Sequence, residues 1–187
     1  MSSTAAPYGL RPVAHATGGE IRIDEYTIAS SYGANIFQGS PVKIHTDGTV
    51  NIAAAGDRMV GCFLGCEYTA AGRRVISNFW PTGTVAADAI ARITTDPEII
   101  YQIQCAGAVA LADIGGMADH SGTSGSTVTG MSTTALAASP SATTEASFQV
   151  IGISRQPDNA AGDANTDVLV KIVEHQFRAI ADAAQAF

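Results

Sequence analysis

Hydrophobic and polar residues alternate along much of the chain. Ile99, Tyr101 and Ile103 share one parity, and Gln102 and Gln104 occupy the other. This period of two is typical of a β-strand with one buried face. Similar segments bounded by turn-forming residues predict further strands at 59–69, 73–80, 89–95, 147–155 and 168–172. The pattern therefore predicts a mainly β chain.

A β-hairpin with a defined register is predicted around Asp47-Gly48. A two-residue loop at this dipeptide would set Ile44 opposite Asn51. A three-residue loop, 46–48, sets Ile44 opposite Val50 and keeps the apolar side chains of both strands on one face. Gly48 would then adopt the left-handed conformation that ends such a loop. We therefore predict the three-residue loop.

The alternation is interrupted in the stretch 20–29. Ile21 and Ile23 share one parity, whereas Tyr26 and Ile28 share the other. A β-bulge near Asp24-Glu25 would return both pairs to the same face.

Glycines lie inside three of the predicted strands, at Gly61, Gly65 and Gly152. Glycine weakens a strand but permits tight curvature or the close approach of another backbone. Such curvature is typical of a barrel. We therefore expect a barrel-like β body with long loops.

The remaining segments predict loops and terminal extensions. Residues 113–146 are rich in Gly, Ser, Thr and Ala and predict a long excursion or flexible loop. The apolar, proline-containing segment 1–12 predicts an extended arm that lies across a neighbour. Helical spacing in 176–187 predicts a short C-terminal helix or tail. The single domain 1–187 would thus consist of this arm, the β body 13–175 and the tail.

The chain carries few charges for its apolar content. Of its residues, 14% are charged and 46% are hydrophobic, and the formal net charge is −7. An average globular protein has about 25% charged residues. The deficit suggests a surface covered by a partner, the alternative being a monomer kept soluble by Ser and Thr hydroxyls. The ten Lys and Arg are scattered rather than gathered in a basic stripe, so no nucleic-acid partner is expected.

No stretch approaches the roughly 18 consecutive apolar residues of a membrane helix. The N-terminal residues lack the basic start and apolar core of a signal peptide. We therefore expect no membrane partner and a chain that is made in a cytoplasm and remains soluble there.

The cysteines Cys62 and Cys66 lie on one predicted strand. Residues four apart on a strand are separated by about 13 Å, which is too far for a disulfide. No nearby histidine completes a zinc site. We predict that both are buried structural cysteines. Cys105 leaves an odd number, which fits a reducing compartment.

Other candidate chemistry is weaker. Asp163, Asn165, Asp167 and Glu174 match part of a calcium-loop spacing, but Val168 occupies the position that requires glycine. No serine lies in a nucleophile elbow, and no phosphate-binding or dinucleotide motif is present. We therefore assign no catalytic, cofactor-binding or metal-binding residue and expect no enzyme.

Aromatic and apolar residues supply the interface candidates. Phe79 and Trp80 are predicted to lie in the chain's own core rather than at an interface. The terminal segments supply the candidates for contact with a neighbour, namely Tyr8, Leu10, Arg11, Phe177, Ile180 and Phe187.

Several phrases together resemble capsid decoration (cement) proteins of tailed bacteriophages. They are Ala6-Pro7-Tyr8-Gly9-Leu10-Arg11-Pro12, Asn35-Ile36-Phe37, the glycine–cysteine stretch 61–68, Ser77-Asn78-Phe79-Trp80-Pro81 and the stretch 168–175. The resemblance implies a β-barrel or β-tulip body that oligomerises, with a homotrimer favoured and a dimer as the alternative. It implies no catalytic residue. Segment 113–146 is additional relative to some smaller decoration proteins.

The function implied by this resemblance is structural. Such a protein would be synthesised in the bacterial host cytoplasm and would bind the outer face of the virion. There it would stabilise the head by bridging neighbouring copies of the major capsid protein. The alternative is a receptor- or glycan-binding β module, whose loops are usually richer in aromatic residues than 113–146. A hydrolase built from residues distant in sequence is the third possibility.

Overall fold

The computed structural model describes residues 4–138, 140 and 146–178, and the chain in these ranges is mainly β, as the sequence predicts. The strands are β1 (Arg11–His15), β2 (Ile23–Thr27), β3 (Ile36–Phe37), β4 (Pro41–Ile44), β5 (Val50–Ile52), β6 (Gly61–Ala70), β7 (Arg73–Ser77), β8 (Phe79–Trp80), β9 (Ile90–Thr94), β10 (Ile99–Gln104), β11 (Met117–Ala118), β12 (His120–Ser121), β13 (Ala135–Leu136), β14 (Phe148–Ile153) and β15 (Asp167–Ile172). A 3₁₀ turn at Leu111–Asp113 precedes β11.

The first sheet has the antiparallel order β1-β10-β15-β14-β11. Tyr101 pairs with Val170, and Ile103 pairs with Val168. All four side chains are fully buried in a core that Phe148 also joins. Gln102 and Gln104, the polar residues of β10, lie on the opposite, outer face of this sheet. The predicted alternation in β10 and β15 is therefore confirmed.

The second sheet has the order β2-β9-β6-β4-β5, and β7 also pairs with β6. Its core contains Phe63, Trp80 and Ile93, all fully buried. Trp80 thus lies in the chain's own core, as predicted. The neighbouring Cys62 belongs to the core of the first sheet. Strand β6 therefore separates the two cores and contributes side chains to both.

A buried hydroxyl joins the two sheets beside β6. The Cys62 amide donates a hydrogen bond to Thr94 Oγ1 (2.9 Å), and this oxygen lies 2.8 Å from the Tyr101 hydroxyl. Thr94 and Tyr101 are fully buried. Because the backbone of Gly61 passes directly over the Thr94 carbonyl, a Cβ at residue 61 would lie 2.0 Å from that oxygen. The junction therefore requires glycine at this position.

The β4–β5 hairpin confirms the predicted register. Ile44 pairs with Val50, and Val42 pairs with Ile52. Gly48 has a φ of +82°. The His45 amide donates to the Thr49 carbonyl (2.8 Å), which closes the three-residue loop.

The predicted bulge near Asp24-Glu25 is wrong. Strand β2 pairs with β9 without a shift, from Ile23 opposite Thr94 to Thr27 opposite Ile90. Ile23 is 52% exposed, while Asp24 is partly buried and accepts a hydrogen bond from the Thr95 hydroxyl. Because the Thr95 hydroxyl pairs with its carboxylate, Asp24 can face inward. Strand β2 therefore continues without a bulge.

Closure into a barrel is not observed among the residues that the structure describes. The strand glycines instead accompany irregularities in pairing. Register shifts occur between Phe63 and Gly65 in β6 and between Val150 and Gly152 in β14. The glycines bend individual strands, and both large sheets remain open.

Segment 113–146 is a long excursion, but its described part is not a bare loop. It contains β11, β12 and β13, and it buries His120, Thr134 and Leu136. Small residues allow this segment to pack closely: a Cβ at Gly125 would lie 2.4 Å from the Phe37 ring. The predicted C-terminal helix falls largely outside the described residues. No helix within them has the length and apolar character to cross a membrane.

We predict that Gly61→Ala lowers the free energy of unfolding by about 3 kcal/mol, the upper end of the cost of overpacking. The atom that the new Cβ meets is a backbone oxygen, which cannot rotate away. The matched control is Gly152→Ala, where a Cβ would have no neighbour within 4 Å. We expect that variant to stay within about 0.5 kcal/mol of the parent in urea unfolding. Equal destabilisation of both variants would contradict the close approach.

Candidate interaction surface

The N-terminal segment packs against its own chain. Leu10 is 2% exposed and belongs to the core of the first sheet. Its amide donates to the Gly39 carbonyl (2.8 Å). Gly9 has a φ of +76°, and a Cβ there would lie 2.5 Å from the same oxygen. Leu10 was predicted as a contact to a neighbour, and this prediction is wrong because the residue fills the chain's own core.

Tyr8 and Arg11 lie together on the outer face of the first sheet. The Arg11 guanidinium lies 4.6 Å from the centre of the Tyr8 ring, the geometry of a cation–π contact. Burial, followed by the nearby Asp167 carboxylate, raises the pKa of Tyr8. Burial likewise raises the pKa of Asp167. The Ala6 amide donates to the Gln104 side chain (2.8 Å). The predicted arm therefore lies across its own sheet, with Arg11 as its exposed part.

The C-terminal stem, residues 174–178, is held on the body by polar contacts. The Gln176 side chain accepts from the Ile44 amide (2.7 Å) and donates to the Ile44 carbonyl (3.0 Å). Arg58 donates to the carbonyls of His175 (2.7 Å) and Arg178 (3.0 Å). Arg178 in turn donates to the Glu98 carboxylate. The chain is thus fixed as far as its last described residue.

Phe177 projects from this stem and is 54% exposed. It borders a hollow of about 370 Å³ that Asp24, Tyr26 and Pro97 also line. An exposed aromatic ring on a rigid stem suits contact with a partner. Ile180 and Phe187, the other C-terminal candidates, lie outside the described residues.

The predicted interface residues do not form one surface. Tyr8 and Arg11 lie near the end of β10 that contains Gln102 and Gln104. Phe177 lies near the residues that precede β10. The strand between them spans roughly 17 Å at 3.3 Å per residue. The structure therefore brings Tyr8 and Arg11 together and leaves Phe177 apart.

Val128 is an apolar residue that is more exposed than Phe177 and that the sequence analysis did not single out. It is 93% exposed at the tip of the loop 126–131. The Gly130 amide donates to the Ser126 carbonyl (2.7 Å), and Asn78 donates to the Thr129 carbonyl (2.8 Å). The loop therefore presents Val128 on a well-supported backbone. The sequence signal was an isolated β-branched residue in a run of Ser and Thr.

The outer face of the second sheet carries paired charges. Glu67 accepts from Arg74 and from Arg92 (3.1 Å), and Arg92 also reaches Glu25 (3.4 Å). The hydrogen bond from Arg74 is the main influence that lowers the pKa of Glu67. The ladder connects β2, β9, β6 and β7. These charges therefore neutralise one another across the strands.

Cys62 and Cys66 are buried and form no disulfide, as predicted. Burial raises the pKa of both thiols to about 12, so neither is a nucleophile near neutral pH. Within residues 4–138, 140 and 146–178, no group of three or more His, Cys, Asp or Glu side chains is placed to hold a metal ion.

Fold and surface together define a mainly β chain with exposed apolar side chains on rigid supports. Comparison of the chain with protein-family models, with curated proteins and with solved structures found no match.

We predict that Leu10→Ala and Phe177→Ala differ strongly in their effect on folding. Leu10 is a core residue, so its truncation is expected to cost about 2–5 kcal/mol. Phe177 is more than half exposed, so its truncation is expected to cost less than about 1 kcal/mol. Urea unfolding of the two variants measures the difference. Similar, small losses would show that the N-terminal segment does not form part of the core.

We predict that the protein loses stability in acid because His175 is buried. It is fully buried, its Nδ1 accepts from the Phe177 amide (3.1 Å), and burial lowers its pKa to about 4. Below about pH 6.5 the unfolded chain binds a proton that the folded chain does not. Stability should therefore fall between pH 6.5 and 4, by up to about 3 kcal/mol from this group. The pKa of buried His120 is also lowered, which acts in the same direction.

The variant that tests this prediction is His175→Asn, which keeps an acceptor for the Phe177 amide but does not titrate. We expect a shallower dependence of the unfolding free energy on pH than in the parent. Val128→Asn, which introduces the same amide at an exposed position with no titratable group, should leave the slope as it is. An unchanged slope in His175→Asn would contradict the assignment.

Proposed function

We propose that this chain is a structural decoration protein that binds the outer face of a tailed-phage capsid and braces neighbouring capsid subunits. The observation that carries the proposal is the exposure of large apolar side chains on an ordered β body. Among the described residues, Val128 is 93% exposed, Val85 75% and Ile76 71%. Such side chains are available to the apolar centre of an interface with a protein partner.

The resemblance in sequence supports the same proposal, because several residues of the quoted phrases have structural roles in this chain. Gly9 makes the close turn that seats the N-terminal segment, and Gly61 makes the close contact with β9. Trp80 fills the second core. The phrases that resemble those of decoration proteins therefore include residues that determine this fold.

The charges of the chain support an outer location. The net charge is −7, which favours the outside of a shell over an interior packed with DNA. Several of the basic residues are already engaged within the chain, as in the pairs Arg74–Glu67, Lys43–Asp57 and Lys171–Glu98. Binding would then depend mainly on apolar contacts.

The brace works through multivalency. A homo-oligomer, with a trimer favoured and a dimer as the alternative, would present Val128 several times to neighbouring subunits of the major capsid protein. Once one copy is bound, each further contact is intramolecular and occurs at a high effective concentration. Modest contacts per subunit would then resist the outward pressure of packaged DNA.

We predict that virions of the phage that encodes this chain carry it in hundreds of copies. Particles lacking it should release DNA at a lower temperature, and purified protein should restore their stability. Val128→Asp should fail to restore it, since a charge would have to be buried at the contact. Ala55→Asp, which adds the same charge at an exposed residue that the proposal does not assign to the contact, is the control. The measurement is the temperature at which the heads release their DNA on heating, detected when the DNA becomes accessible to a dye.

Two results would contradict the proposal. One is equal heat resistance of particles with and without the protein. The other is a location in the tail or inside the shell when the protein is mapped by labelling or electron microscopy. Binding to host glycans with no affinity for shells would instead support a receptor-binding module.

A further inference from the structure

Two strands of the second sheet have an edge that pairs with no other strand in the part of the chain that the structure describes. They are β2, at one end of the order β2-β9-β6, and β7, which pairs with the opposite side of β6. Each strand is antiparallel to its single neighbour and keeps one register along its length. A free edge of this kind presents a row of unpaired N–H and C=O groups to which another chain can add a strand.

In β2, the backbone groups of Ile23, Glu25 and Thr27 point toward the free edge. The amide of Ile28, directly after the strand, donates to the Ala89 carbonyl on the β9 side (3.1 Å). Residues that bond the same neighbour recur at every second position of an antiparallel strand. The even-numbered residues of β2 therefore bond β9, and the odd-numbered residues face away from it.

In β7, the backbone groups of Arg74 and Ile76 point outward in the same way. Ala70 and Arg73 are paired across the two-residue turn 71–72, whose φ angles of +50° and +72° are those of a type I′ hairpin turn. The residues that flank such a turn bond each other, so Arg73 and every second residue after it face β6. The residues between them face the free edge.

One antiparallel register joins these two free edges and satisfies the backbone groups of both. It sets Glu25 of one copy opposite Arg74 of the next copy and Ile23 opposite Ile76, so that the outward-facing residues pair with one another. Directly paired residues lie on the same face of a sheet. All four side chains are exposed, and Glu25 and Arg74 both belong to the charges on the outer face. The joined sheets would therefore share one continuous outer face.

The charges on this face alternate in sign from one free edge to the other. Glu25 on β2 is followed by Arg92 on β9, Glu67 on β6 and Arg74 on β7, and each neighbouring pair is in contact. The series begins with an acid and ends with a base. A second copy whose Glu25 lies beside Arg74 would continue the same alternation.

The charges of the two edges also disfavour contact between like edges. Strand β2 carries Asp24 and Glu25, whereas β7 carries Arg73 and Arg74. Two β2 strands would bring carboxylates together, and two β7 strands would bring guanidinium groups together. Since opposite charges across a strand pair stabilise it and like charges destabilise it, the edges favour pairing of β2 with β7.

We propose that this chain self-associates head to tail, with the free edge of β2 in one copy paired to the free edge of β7 in the next. Contacts of this kind form a ring when the rotation between copies closes, and the homotrimer favoured above is such a ring. The inference rests on the homo-oligomer of the proposed function and names its interface. It does not require that the partner of this oligomer be a capsid.

Hydrogen exchange on the unmodified chain tests the pairing residue by residue. The amides of Ile23, Glu25, Arg74 and Ile76 should exchange roughly tenfold or more slowly in the oligomer than after dilution to the monomer, because only the contact gives them a partner. The Tyr26 amide is the control, since it faces β9 in both states. Exchange of the four edge amides that does not depend on concentration would overturn the inference.

Charge reversal tests the side chains of the contact. Glu25→Arg and Arg74→Glu each place like charges opposite one another, so each variant alone should self-associate roughly tenfold or more weakly in sedimentation. An equimolar mixture should associate again, because every contact between the two variants joins opposite charges. Asp158→Arg, at an exposed acid in the loop that follows β14, should associate as the parent does. Melting temperatures verify that each variant is folded.

The possible results distinguish this interface from the capsid proposal. An oligomer that both charge reversals leave intact, or a mixture that remains monomeric, would overturn the inference. A chain that is monomeric at high micromolar concentration but restores the heat resistance of particles would also overturn it and would leave the capsid proposal standing. An oligomer with protected edge amides and no effect on particles would support the interface and contradict the capsid proposal.

Discussion

The close contact between Gly61 and Thr94 is the constraint on which the rest of the structure depends. It brings the start of β6 against the end of β9 with no room for a side chain. The Thr94 hydroxyl then accepts from the Cys62 amide and lies against the Tyr101 hydroxyl of the first sheet. Because the side chains of β6 alternate, Cys62 enters one core and Phe63 the other. One strand thus joins two sheets that do not otherwise form a continuous ladder.

The distribution of polar groups explains how a chain with few charges keeps its form. Side-chain amides replace missing strand partners: Gln176 pairs with the backbone of Ile44, and Asn159 pairs with that of Asp167. Buried backbone groups require such partners. These neutral amides satisfy the backbone groups without adding charge to the chain.

The two terminal segments meet the same sheet from different ends. Tyr8 and its neighbours cover the outer face near Asp167, and the C-terminal stem is fixed beside Lys171 through Glu98. An antiparallel sheet can leave its second face to solvent, but in this chain Gln102 and Gln104 on that face are buried. The N-terminal segment covers part of this face and places Leu10 in the chain's own core.

The sequence by itself determined the local elements. The register of the hairpin around Gly48 and the inward faces of β10 and β15 followed from parity and turn chemistry, which depend only on nearby residues. The tertiary structure decided the positions of Asp24, Leu10 and Val128. Asp24 faces inward because Thr95, distant in sequence, supplies a hydroxyl. Val128 is exposed on a loop whose backbone is held by Asn78, which is distant in sequence. Such partners have no local signature, so only the folded chain reveals them.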